Sequence, residues 1–202
     1  MLLGVTAHPG GVALSRHLLD RLDLERGALV ADVACGRGST LDLLADRGLL
    51  GVGVDLSPRH PRAVVGDAQA LPLRGGAWDA VVCECSVSTF RDPAGALAEM
   101  ARLLRPGGRL GVTDVLLDRE RAAPEVVAAV DRLTAARTLD GYAELLRAAG
   151  FELTATEDRR GDALALLRRL RTRLPWSSTV RGCEQAVRDG TLGYGLLTGR
   201  LS

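Results

Sequence analysis

Residues Val30-Ala31-Asp32-Val33-Ala34-Cys35-Gly36-Arg37-Gly38 join a short apolar run to a glycine-rich turn. A second run, Gly51-Val52-Gly53-Val54-Asp55, ends in an acid. Glycines let the backbone come close to a ligand, and a helix that follows presents free N–H groups and a positive dipole end. Asp55 lies 19 residues after Gly36. An acid at that spacing sits at the tip of the neighbouring strand, where its two oxygens can accept both hydroxyls of a ribose. The ligand class is therefore one that contains a nucleoside. A dinucleotide fingerprint needs a third glycine, where this chain has Leu41, and a Walker A loop needs a lysine the chain does not contain.

The elements that must hold these residues alternate between strand-like and helix-like runs, as in a parallel sheet covered by helices. Strands are expected at 29–34, 50–54, 63–65, 79–83, 109–115, 151–156 and 192–198. Helices are expected at 12–24, 40–46, 93–104, 124–136, 140–149, 162–174 and 179–188, several stopped by Gly or Pro. No repeat or linker interrupts the 202 residues, so one domain is expected. It divides into an N-terminal cap and helix (1–27), a ligand-binding half (28–115) and a substrate-side half (116–202) with a helical insert at 157–191.

The ordered series resembles the class I S-adenosylmethionine-dependent methyltransferases, of a small bacterial type. Val30 to Gly38 is similar to that family's first motif. The resemblance continues through Gly53-Val54-Asp55-Leu56-Ser57, Gly66-Asp67-Ala68-Gln69-Ala70-Leu71-Pro72-Leu73, Trp78-Asp79-Ala80-Val81-Val82 and Leu103-Leu104-Arg105-Pro106-Gly107-Gly108-Arg109-Leu110. It covers roughly residues 29–115. It implies an α/β, Rossmann-like seven-stranded fold, mostly parallel with an antiparallel last strand and a helical insert before it.

The resemblance also implies roles. Asp32 would hold the cofactor's methionyl ammonium, and Ala34, Cys35 and Gly36 would line the close backbone approach. Asp55 would bind the ribose hydroxyls, with Leu56 against the adenine. Asp67 would accept the adenine amino group, and the Ala68 N–H would bond a ring nitrogen. The Cys83–Cys85 segment, Cys83 included, would run beside the sulfonium. Ala34 departs from the family, where many members carry Gly. Read one at a time, these acids have plainer roles open to them: Asp32 as a helix cap, Asp67 as a turn residue, Asp55 as a strand-end acid.

Methyl transfer from a sulfonium is an in-line displacement, so alignment and exclusion of water matter most. A base is needed only where the acceptor must lose a proton. Glu84, His8 and Asp114 are the candidates for base or positioning, and His8 is also a plausible turn residue before Pro9. In the family a short hairpin usually joins the last two strands. Here about 35 residues separate them, so the insert is expected on the ligand-facing edge, forming a substrate lid with the segment around His8-Pro9-Gly10-Gly11. The alternative is a helical pair packed on the sheet edge.

The cysteines raise a second reading. Cys85 falls where the arsenite methyltransferases, which the chain partly resembles, carry a Cys after the fourth strand. Cys83 shares its face if the strand persists, and Cys183 lies in the insert. Three thiolates could bind a soft trigonal ion such as As(III), although buried packing is the plainer role. No resident metal is expected. A third reading is a cofactor-binding or partner protein without catalysis.

Composition narrows the partners. Net charge is +1, aromatics are 3%, and every basic residue is Arg. Without lysine, Schiff-base catalysis is excluded. A near-neutral, aromatic-poor chain gives no general drive toward nucleic acid. Residues 158–189 alone carry eight Arg against four acids, with Leu164, Leu167, Leu170 and Leu174 as an apolar stripe. A solvated helix face is the expectation there, with an anionic small substrate or nucleic acid as alternatives. No apolar run approaches membrane-spanning length, and the start lacks a signal-peptide pattern, so a cytoplasmic protein acting on a small molecule is expected. Oligomeric state is not readable from the sequence.

Overall fold

The Leu- and Val-rich runs assemble into one seven-stranded sheet in a computed structural model. It describes residues 8–174 and 177–202. The strands are β1 (Leu29–Val33), β2 (Leu50–Asp55), β3 (Ala63–Val65), β4 (Trp78–Glu84), β5 (Leu104–Leu117), β6 (Phe151–Asp158) and β7 (Leu192–Leu201). Their order is β3-β2-β1-β4-β5-β7-β6. β1 to β5 pair in parallel, and β7 runs antiparallel between β5 and β6. The expected α/β, Rossmann-like seven-stranded methyltransferase fold is therefore present. The helices are α1 (Gly11–Leu22), α2 (Ser39–Asp46), α3 (Pro93–Leu103), α4 (Pro124–Asp131), α5 (Leu139–Ala148), α6 (Arg160–Arg173) and α7 (Ser178–Arg188).

Side chains alternate across a strand, so the sheet carries a core on each face. Ala80 and Val82 of β4 point to α1, α2, α4, α6 and α7. Val81 and Cys83 point to α3 and α5. The leucine stripe of α1 (Leu14, Leu18, Leu22) is essentially fully buried, each side chain contributing about 2 kcal/mol. Ser15 is buried in the same helix face, a polar group that needs a partner.

Three boundaries differ from the sequence reading. β5 starts at Leu104, because Leu104 pairs with Trp78 before the register shifts and Arg109 pairs with Ala80. The intervening turn passes through Gly107 at φ 75. β6 and β7 run longer, since they pair from Phe151↔Leu201 to Asp158↔Gly195. α4 stops five residues early, because the chain after it is drawn along β5 by the Leu117 N–H donating to the Arg137 carbonyl at 2.9 Å. The insert forms two helices, α6 and α7, close to the expected spans.

Candidate active site

The parallel strands end at one edge, and the residues singled out in the sequence gather there. After β1 the chain turns through three left-handed positions: Ala34 at φ 61, Gly36 at φ 51 and Gly38 at φ 79. Ala34 is thus an alanine in a conformation that favours glycine, costing about 1 kcal/mol. The turn carries the chain to α2, whose N-terminus has no side-chain cap. Asp55 holds this turn to β2: its Oδ2 accepts from the Gly36 N–H at 2.9 Å and its Oδ1 from the Ser57 N–H at 2.9 Å. Each carboxylate oxygen keeps a lone pair for a further donor.

A cleft of about 470 Å3 lies over these strand ends. Ala34, Asp55, Leu56, Asp67 and Ala68 all line it. Leu56 is three-quarters exposed, so an apolar surface waits at the rim. Asp67 receives the Gln69 N–H at 2.9 Å on one oxygen. The opposite wall comes from Ser86, Thr89 and Phe90, in and around a short 3-10 turn at Val87–Thr89.

Asp32 lies beneath. It is 3% exposed, and its Oδ2 has no hydrogen-bond partner. Burial, with smaller contributions from Glu84 and Asp55, pushes its carboxyl well above the usual range. Glu84, at the end of β4, accepts from Thr40 Oγ1 at 2.7 Å and from Ser15 Oγ at 2.9 Å. Its Oε2 is 3.7 Å from His8 Nε2. The buried serine of α1 thus finds its partner here. Its place within an apolar stripe was the signal for this contact, and Thr40 gave none. The His8 Nδ1 lies 2.9 Å from the Pro9 carbonyl. A carbonyl only accepts, so Nδ1 carries the proton and Nε2 keeps a lone pair.

The cysteines separate. The Cys35 sulfur packs on β2, where a methyl group at Gly53 would meet it at 2.5 Å, and its thiol is pushed to about 12, chiefly by burial. Cys83 has no exposed surface and belongs to the core under α3 and α5, so its side chain does not line the cleft as expected. Cys85 does not share its face: β4 ends at Glu84, and Cys85 adopts φ 55, which turns its side chain to the α1/α6 side. Cys85 and Cys183 both border a second cavity, without Cys83. The three-thiolate set is therefore not assembled. Among the described residues no group of three or more His, Cys, Asp or Glu is placed to hold a metal ion. Burial raises the thiols of Cys83, Cys85 (to about 11) and Cys183, which keeps them protonated. Asp114 is occupied: it accepts from the Ser88 N–H at 2.8 Å and Ser88 Oγ at 2.7 Å.

The geometry has a counterpart among known proteins. Residues 31–112 match the model of a family described as a methyltransferase domain. The match spans about two-fifths of the chain. The matched segment holds Asp32, Asp55, Asp67, Glu84 and Cys85, whereas His8, Cys183 and the α6–α7 insert lie outside it. Curated relatives include a demethylmenaquinone methyltransferase of Renibacterium salmoninarum, 36% identical over 109 residues, covering 49% of this chain and 46% of the relative. A nocamycin O-methyltransferase of Saccharothrix syringae is 34% identical over 118 residues, covering 50% and 42%. The chain spans less than half the length of these curated relatives. Among solved structures, geranyl diphosphate C-methyltransferase from Streptomyces coelicolor A3(2) superposes with a TM-score of 0.83 at 19% identity, covering 94% of this chain and 79% of that one. The [4+2]-cyclase SpnF superposes at 0.72 with 25% identity, covering 93% and 80%.

Proposed function

We propose that the protein is an S-adenosylmethionine-dependent methyltransferase acting on a small molecule. The observation that carries this reading is the buried Asp32 oxygen without a partner, within electrostatic reach of Glu84 and of Asp55, which lines the neighbouring cleft. Such an arrangement repels itself when empty and is relieved by a cation with hydrogens to donate. S-adenosylmethionine fits it, and when bound supplies an electrophilic methyl group on a sulfonium.

The chain's own residues then have defined tasks. Asp32 and Glu84 neutralise the cationic methionyl end. The Ala34–Gly36 backbone approaches it closely. Asp55 accepts the ribose hydroxyls with its remaining lone pairs, Leu56 packs on the adenine, and Asp67 with the Ala68 N–H reads its polar edge. Where the acceptor must lose a proton, His8 Nε2 takes it, and Glu84 stabilises the imidazolium 3.7 Å away. Cys85 contributes a protonated wall. All four cysteines are free thiols, which suits a reducing cytoplasm. Among the described residues no helix is long and apolar enough to cross a membrane.

Titration calorimetry with S-adenosylhomocysteine tests the reading. Wild type binds and Asp55→Ala loses most of the affinity; no binding by wild type overturns it. A second reading, cofactor binding without methyl transfer, draws support from SpnF, a cyclase by its name, at 25% identity. Binding without turnover on a broad acceptor panel would select it.

A further inference from the structure

The second cavity, of about 330 Å3, lies between α4, α6 and α7 and reaches the cleft. Thr89 lines both, so the two spaces meet at that residue. The walls are Val130, Leu166, Leu167, Leu170, Cys85 and Cys183, joined by Pro9 from the N-terminal segment. Among the described residues no carboxylate, imidazole or guanidinium lines it. The lining hydroxyls of Ser88 and Thr89 are already committed as donors, to Asp114 and to the Ser86 carbonyl. One is not: Thr134 Oγ1 is buried and has no hydrogen-bond partner. A buried hydroxyl left unpaired is unfavourable, and a ligand group that bonds it relieves that cost.

We infer that this cavity receives the methyl acceptor, and that the acceptor is a compact, uncharged, mostly apolar molecule whose hydrogen-bonding group is met by Thr134 Oγ1. The inference rests on the methyltransferase reading of the adjoining cleft. The volume is at the small end of the range for small-molecule sites. A charged acceptor would enter without a counter-ion, a cost apolar walls do not repay. The leucines of α6 gauge the acceptor's size, and its reacting atom faces the cleft past Thr89.

Equilibrium dialysis in the presence of S-adenosylhomocysteine tests this with three probes of one ring size: 2-naphthol, naphthalene and naphthalene-2-sulfonate. Wild type is expected to hold 2-naphthol at least tenfold more tightly than the sulfonate. Leu167→Trp and Leu170→Trp, each filling the cavity, should abolish 2-naphthol binding and leave S-adenosylhomocysteine affinity unchanged, which also reports that the variants fold. Thr134→Val should weaken 2-naphthol about fivefold and leave naphthalene unaffected, as expected for one neutral hydrogen bond. No 2-naphthol binding, equal or tighter sulfonate binding, or tryptophan variants that bind like wild type would overturn the inference. An unchanged naphthol-to-naphthalene ratio in Thr134→Val would overturn the role of that hydroxyl. If S-adenosylhomocysteine itself fails to bind wild type, the methyltransferase reading falls, and the naphthalene series still decides the character of the cavity.

Discussion

The cleft over β1–β3 and the cavity under α6–α7 are built from opposite materials. The cleft is acidic and made largely of backbone: left-handed turns, amide groups and the carboxylates of Asp55 and Asp67, with the buried Asp32 close by. The cavity is made of aliphatic side chains projected from helices, with one uncommitted hydroxyl. A surface made of backbone and charge recognises one ligand and tolerates little change. A surface made of leucines sets shape and size, and it changes with each substitution. The first suits a shared cofactor, and the second suits an acceptor that differs between relatives.

Four substitutions would break or sharpen that contrast. The largest effect is expected for Asp55→Ala, which removes the acceptor of two charge-assisted hydrogen bonds. S-adenosylhomocysteine affinity should fall about a hundredfold by calorimetry, with the cavity's probe binding retained. Next is Glu184→Gln. Glu184 of α7 is 1% exposed and pairs with Arg168, Arg171 and Arg188. Without its charge α6 and α7 should loosen by about 2 kcal/mol, a value reduced for the half-exposed arginines. Faster amide exchange confined to those helices, with unchanged cofactor affinity, is the expected readout.

Asp32→Asn acts on the cleft in two directions. Burial, then Glu84 and Asp55, hold this carboxyl above its ordinary value in the folded protein. The folded state therefore binds the proton more tightly than the unfolded chain. Stability is lost as pH rises from the unfolded value through the folded one. The variant should lack that slope in thermal melts from pH 4 to 8 and melt a few degrees higher at neutral pH. It should also bind S-adenosylhomocysteine about tenfold more weakly. A flat profile in wild type would mean that Asp32 is not under electrostatic strain. The smallest effect is Ala34→Gly, which relieves the left-handed alanine and should stabilise by about 1 kcal/mol in denaturant titration.

The cleft was legible because its signal is local. A strand, a glycine turn and an acid at the next strand's tip are fixed by a few neighbouring residues, so the place of Asp55 followed from spacing, while Asp32 and Asp67 were singled out through the family resemblance. The cavity was not legible, because tertiary contacts decide it. One backbone angle at Cys85 sends its side chain to the face opposite Cys83, and no composition rule contains that angle. The end of α4 depends on a hydrogen bond to β5, twenty residues away in sequence. The eight arginines of residues 158–189 read as a solvated face; three of them converge on Glu184, and two of these, Arg168 and Arg171 of α6, tie that helix to α7.

The pairing of β6 with β7 is already complete from Phe151↔Leu201 to Asp158↔Gly195, before the α6–α7 hairpin begins to contribute. A short turn would close those strands as well. The hairpin is thus an exchangeable part, fastened by its own ion pairs and by Ala163, Ala186 and Val187 in the core on one face of the sheet. A lineage built this way can trade one acceptor for another by rewriting about thirty residues, while the cofactor machinery and the folding core stay under separate selection.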